Sequence, residues 1–204
     1  MWENNMKQVA QNKRGAFTLI ELLTVIAIIG ILAGILVPAV GQVRKKTAIA
    51  TSKAKIAQYL TALEGFKAEY GYYPFTQDLD GNGLIELDTP RISKTFVETL
   101  SARSINDANR SVSGEGNRRR IQFYVFTDAE ISDGLEYDEI KENTVIDSFG
   151  NNKICFVFDH NGDGVLRVPD PDGSKQKTKE IRGTVAAYVK ENSAIKAPSY
   201  YLYD

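Results

Sequence analysis

Along the chain, apolar residues first run almost unbroken and then settle into helical spacing. Leu22 to Gly41 reads LLTVIAIIGILAGILVPAVG, with Thr24 as the one ordinary polar side chain. That is about 20 residues, the length a helix needs to cross a hydrocarbon core. Farther on, Val43, Ile49, Ile56, Leu60, Leu63, Phe66 and Tyr70 keep to one helical face. The pattern predicts a single helix from Phe17 to Tyr70, roughly 80 Å long, apolar all round in its first half and amphipathic in its second. Gly30 and Pro38 mark the stretch where a kink or a melted turn is expected. Gly71 suits a left-handed cap and Pro74 prevents continuation, so the helix should stop there.

Past the helix the pattern changes. A short helix is predicted over about Ile92 to Ala102, with Phe96 and Leu100 on one side. Three runs rich in aromatic and branched residues read as strands: Ile121–Phe126, Lys153–Phe158 and Thr184–Val189, the last with an Ala pair that would also suit a helix. Residues 104–120 are rich in Ser, Asn and Gly and then basic, which reads as an exposed loop. Arg118, Arg119 and Arg120 are read as its solvated edge rather than a docking patch. The ending, Ser199 to Asp204, is aromatic enough to pack. The fold class is α+β, a long N-terminal helix with a transmembrane lower half packed on a small antiparallel sheet domain.

Composition adds compartment and topology. The chain has 204 residues and a net charge of −1, with no basic excess to suggest nucleic acid as a partner. A single cysteine, Cys155, rules out an internal disulfide. Lys7, Lys13 and Arg14 precede the apolar run, yet Arg44, Lys45 and Lys46 follow it directly, so the distribution of positive charge does not orient the helix. The run is longer than the 7–15-residue core of a secretory signal, and Glu21 stands at its start. An ionised side chain costs about 2.5–3.5 kcal/mol at the bilayer centre and less near the interface, so a carboxylate there implies a partner.

The stretch Lys13-Arg14-Gly15-Ala16-Phe17-Thr18-Leu19-Ile20-Glu21-Leu22-Leu23 resembles the processing site of type IV prepilins and of the pseudopilins of type II secretion systems. The resemblance implies removal of the leader by an inner-membrane prepilin peptidase and methylation of the new N-terminal residue. Cleavage between Ala16 and Phe17 places Glu21 four residues beyond the new end, and sets Gly30 and Pro38 where the family helix usually carries an early Gly and its Pro. Cleavage after Gly15 is the alternative. The domains expected are a leader at 1–16, the helix at 17–70 with its membrane half at 17–41, and a pseudopilin-like domain at 71–204. Leader removal leaves 22 basic and 25 acidic residues.

Asp147-Ser-Phe149-Gly150-Asn151 resembles the Asp-x-Trp-Gly-Asn turn of major pseudopilins, and Tyr72-Tyr73-Pro74 their Tyr-Pro after the long helix. The implied protein is a pilin-like structural subunit: anchored by one span in a bacterial inner membrane with its domain in the periplasm, then polymerised into a periplasmic homo-oligomeric filament. Its implied partners are the assembly platform and minor pseudopilins. Glu21 would meet a neighbour's free amino group at Phe17. A type IV pilin or a minor pseudopilin is the alternative within the family.

Two Asp-rich segments have the ligand spacing of a calcium loop. In one, Asp159, Asn161, Asp163, the Val165 carbonyl and Asp170 supply oxygens with glycines between; in a weaker copy they are Asp78, Asp80, Asn82 and Glu86. Such runs are also good turns. A membrane-anchored calcium-binding domain is therefore the reading from another class. No enzyme is expected, since His160 is the sole histidine and no Gly-x-Ser-x-Gly elbow is present.

Overall fold

The structure, a computed structural model, describes residues 17–75, 83–132, 143–170 and 178–203. Helix α1, Leu19–Tyr70, runs for 52 residues and stays helical through Gly30 and Pro38, with no melted turn. Gly71 ends it at φ 82°, its N–H donating to the Lys67 carbonyl at 2.7 Å. By contacts the chain divides into two units, one ending at Lys45 and the other beginning at Lys46.

In the first unit every side chain described is exposed. α1 is long and apolar enough here to cross a membrane, with no part of its apolar window buried in the protein.

In the second unit α1 shows one buried stripe: Ser52, Ile56, Tyr59, Ala62, Leu63 and Phe66. Val43, which the periodicity placed on this face, belongs to the first unit and is exposed. After α1 come strand β1 (Leu84–Glu86), helix α2 (Pro90–Ser101), β2 (Arg103–Ser104) and β3 (Asp107–Ser111). Next are a 3-10 turn (Asp128–Glu130), β4 (Ile131–Ser132), β5 (Thr144–Val145), β6 (Ile154–Phe158), β7 (Val165–Pro169), β8 (Thr178–Arg182), β9 (Val185–Val189) and β10 (Tyr200–Tyr201). Thr89 starts α2, its hydroxyl accepting the Ile92 N–H at 3.4 Å, with Pro90 in the first turn where a missing N–H costs nothing.

The main sheet has the order β1-β6-β9-β10 and is antiparallel throughout. Its central strand β6 is buried at all five positions, which is why ICFVF shows no polar alternation. One face packs Ile154, Phe156, Phe158, Ala187 and Val189 with the α1 stripe and with Phe96 and Leu100 of α2. The other packs Cys155, Val157, Ala186 and Tyr188 with Leu166 and Val168 of the β7–β8 hairpin. A strand covered on both faces must be apolar on both.

Two expectations change. Ile121–Phe126 is not a strand. Phe123 and Tyr124 both donate their N–H groups to the Leu100 carbonyl, and the segment lays its rings on the helices: Phe123 against Phe66, Tyr124 against Tyr59, Phe126 against Tyr59 and Phe96. The run is aromatic because it covers helix surface. Nor is 104–120 a plain exposed loop, since β2 and β3 form a hairpin there. Asn117 is fully buried, its amide donating to the Thr99 and Ile121 carbonyls while Tyr70 Oη donates to its Oδ1 at 2.9 Å. Gly114 lies against Thr99 so closely that a Cβ would stand 2.3 Å from the Thr99 Cα. Of the three arginines, Arg119 pairs with Glu69. Thr184–Val189 resolves as strand β9, preceded by Thr184.

Candidate functional site

The start of α1 is set by its own side chains. The Thr18 N–H and hydroxyl both donate to Glu21 Oε2 at 2.8 Å, and the Glu21 N–H donates to Thr18 Oγ1 at 3.3 Å. This reciprocal capping box satisfies donors that a helix N-terminus leaves open, and it gives Glu21 a partner within its own chain. Thr18 was not singled out from the sequence, although Thr-x-x-Glu before an apolar run is a readable signal. Thr24 bonds back to the Glu21 carbonyl at 2.9 Å, so the one other polar side chain of the run is satisfied inside the helix. Phe17 stands before the cap, 82% exposed. At Gly30 no heavy atom lies within 4 Å of where a Cβ would stand, and Pro38 lies within the helix. Gly15 and Ala16 fall outside the described residues.

The candidate calcium ligands do not assemble as one set. Asp159, Asn161 and Asp163 share a turn in which Asp159 accepts the Gly162 and Gly164 N–H groups at 2.8 and 3.0 Å. Asp163 accepts the Val165 N–H at 2.7 Å and the Asn161 amide at 2.9 Å. These bonds hold the Asp163 carboxyl below its usual range, the Val165 N–H most strongly. From Val165 the chain runs as β7, so at about 3.3 Å per residue Asp170 stands roughly 16 Å beyond Val165. A closing ligand must instead reach back to about 2.3–2.6 Å from the ion. The five residues therefore do not fit a calcium loop, and the segment is a turn whose carboxylates are engaged by its own amides. In the weaker copy, Glu86 stands on β1 paired with Lys190, while Asp78, Asp80 and Asn82 lie outside the described residues. Among the described residues no group of three acids, histidines or cysteines could hold a metal.

The charged chemistry of the second unit is concentrated in two buried acids. Glu130, 1% exposed, accepts the Tyr59 and Tyr124 hydroxyls on Oε1, both at 2.7 Å, and the Thr127 N–H and hydroxyl on Oε2 at 2.8 and 2.6 Å. Burial pushes this carboxyl upward, but the hydrogen bonds from Thr127, Tyr124 and Tyr59 outweigh it and leave Glu130 below its ordinary range. Burial, with Glu130 alongside, drives both tyrosines well above theirs.

Asp147 organises the Asp-x-Phe-Gly-Asn turn. Its Oδ1 accepts the Phe149 and Asn151 N–H groups at 2.7 and 2.8 Å, and Tyr200 Oη donates to Oδ2 at 2.8 Å. Gly150 carries φ 76°, the Asn151 amide reaches the Lys190 carbonyl at 2.9 Å, and the Ser148 N–H donates to Ser52 Oγ of α1 at 3.0 Å. The turn that resembled the pseudopilin motif is thus the joint between α1, β9 and β10. Cys155 is buried, and burial first, then Glu86, pushes its thiol up to about 12, leaving it an inert packing residue.

Residues 11–37 match a protein family model described as "Prokaryotic N-terminal methylation motif". The match marks the N-terminus as type IV prepilin-like, the kind of sequence a prepilin peptidase processes before filament assembly. No curated protein and no solved structure matches the chain.

Two measurements bear on these groups. A carboxyl with a lowered folded pKa stabilises the fold above its ordinary value near 4.5, and that contribution is lost as pH falls through the folded value. Glu130→Gln is therefore expected to cost about 1–3 kcal/mol in urea unfolding at pH 7, with the gap to wild type closing as pH falls below the ordinary carboxyl value through the lowered folded one. A gap unchanged with pH would show that the charge of Glu130 contributes nothing. Thermal unfolding of the detergent-solubilised chain should give midpoints in millimolar calcium and in chelator that agree within about 1 °C, since a ligand that does not bind the native state does not shift it. A rise of several degrees with calcium would restore the metal reading.

Proposed function

We propose that this chain is the precursor of a filament subunit, most like the major pseudopilin of a type II secretion system. It is held by one span in a bacterial inner membrane with its domain in the periplasm until assembly. The observation that carries this reading is the exposed apolar helix of the first unit, headed by a capped Glu21 within a prepilin-type motif. Cleavage between Ala16 and Phe17 gives a new amino terminus next to the first helical turn. Within a bundle of such helices, the charge of Glu21 meets the Phe17 amine of a neighbour and so sets the axial step between subunits. An unpaired buried charge costs about 3–5 kcal/mol, enough to reject other registers.

The second unit supports a structural role. Its buried acids are engaged in hydrogen bonds that join elements, Glu130 to Tyr59 of α1 and Asp147 to Tyr200 of β10, and its one thiol is buried with its pKa pushed up. The resemblance of the Asp147–Asn151 turn and of Tyr73-Pro74 favours the pseudopilin over the type IV pilin. Filaments displayed on the cell surface would favour the pilin.

Intact mass and N-terminal sequencing of the membrane-expressed chain, with and without prepilin peptidase, test the proposal. The expected product begins with methylated Phe17 and appears only with the peptidase. A product beginning at Ala16 would move the cut, and an unprocessed chain would leave an anchored domain with no place in a filament. In the same membranes Glu21→Ala should be processed yet yield few filaments; filaments at wild-type level would end its proposed role in register.

A further inference from the structure

Arg44, Lys45 and Lys46 follow the apolar run directly and are exposed on α1. Arg44 and Lys45 close the first unit and Lys46 is the next residue. None of the three has a hydrogen-bond or ion-pair partner among the described residues. No acid occurs between Glu21 and Glu64, so the helix offers them no carboxylate at the three- and four-residue steps where ion pairs form, and the next charges, Lys53 and Lys55, have the same sign. Successive residues turn by about 100° round a helix, so three consecutive cations cover more than half its circumference. They form a partial collar, leaving about 160° of the helix surface at that level without a cation. At 1.5 Å per residue Arg44 stands roughly 5 Å past Gly41, where the apolar run ends. When that run fills the hydrocarbon core, the collar lies at the depth of the headgroups.

We propose that Arg44, Lys45 and Lys46 bind the phosphates of anionic phospholipids at the outer face of the membrane that α1 crosses. The inference rests on the membrane-anchored reading above and names a partner for its outer end. Long basic side chains reach the headgroup layer while their methylene stems stay against apolar surface, and cations just outside a span are drawn to anionic lipid over about a Debye length. The collar also accounts for the balance of basic residues on the two sides of the run. These cations serve depth, so the apolar segment cannot slide inward past them.

The test uses the full chain in phosphatidylcholine vesicles carrying a trace of spin-labelled phosphatidylglycerol or spin-labelled phosphatidylcholine, with the motionally restricted lipid read by electron spin resonance. The anionic probe is expected to be enriched about threefold over the zwitterionic one at low salt, falling toward parity in molar salt. The triple variant Arg44→Gln, Lys45→Gln, Lys46→Gln should lose most of that enrichment, whereas Lys13→Gln with Arg14→Gln should keep most of it. Equal probes in wild type, or a triple variant that selects as wild type does, would overturn the proposal. If the triple variant kept its lipid selectivity and lost only filaments, the cations would belong to a neighbouring subunit's acids instead. Retention after an alkaline carbonate wash separates the two layers of inference: wild type washed off fails as an anchored protein, and wild type retained without selectivity fails only at the collar.

Discussion

The apolar surface of α1 up to Val43 is the constraint on which the rest depends. Sixteen large apolar side chains from Phe17 to Val43 are exposed, and nothing in the first unit covers them. Burying each is worth about 1.5–3 kcal/mol, so together they amount to tens of kcal/mol, more than the 5–15 kcal/mol that holds an ordinary domain folded. Such a helix cannot stay in water. On the function proposed, lipid covers it first and copies of the same helix cover it after assembly. The capping box at Thr18 and Glu21 would lower the cost of the first environment, because the carboxylate is already bonded to its own helix end.

In the second unit, α1 is held by polar bonds as well as by its apolar stripe, each to a different part of the unit. Ser52 takes the Ser148 N–H, Tyr59 donates to Glu130, Glu64 accepts from Tyr73 and Thr184, and Tyr70 donates to Asn117. Apolar packing through Ile56, Leu63 and Phe66 supplies most of the adhesion, but it tolerates sliding. The directional bonds at four heights along the helix fix its register against the sheet.

The elements easiest to read from sequence were those whose reason is local. α1 announced itself by an unbroken apolar run and a terminal glycine, α2 by Phe96 and Leu100 at helical spacing, and β6 by five apolar residues that a doubly covered strand requires. Ile121–Phe126 misled because aromatic residues suit a strand and a helix-covering segment equally well. Only the Leu100 carbonyl, claimed by two successive N–H groups, distinguishes them. Glu130 was invisible because Tyr59 lies 71 residues away in sequence and no spacing rule marks a carboxylate for burial. The Asp159–Asp170 series is ambiguous in a different way. Oxygen-bearing residues at alternate positions make a calcium loop only when the chain turns back to deliver the last of them, and here it runs straight into β7.

Whether the apolar helices pack on one another is measured most directly by cross-linking Ile29→Cys, an exposed position in the middle of the apolar run, in membranes making the processed chain. Cys155 is buried and does not compete. If α1 forms the core of a filament, oxidation should give disulfide-linked dimers, the largest product one thiol per subunit allows, and only when the prepilin peptidase is present. Monomers alone from processed, membrane-held chain would contradict that account and leave lipid as the only cover this helix has.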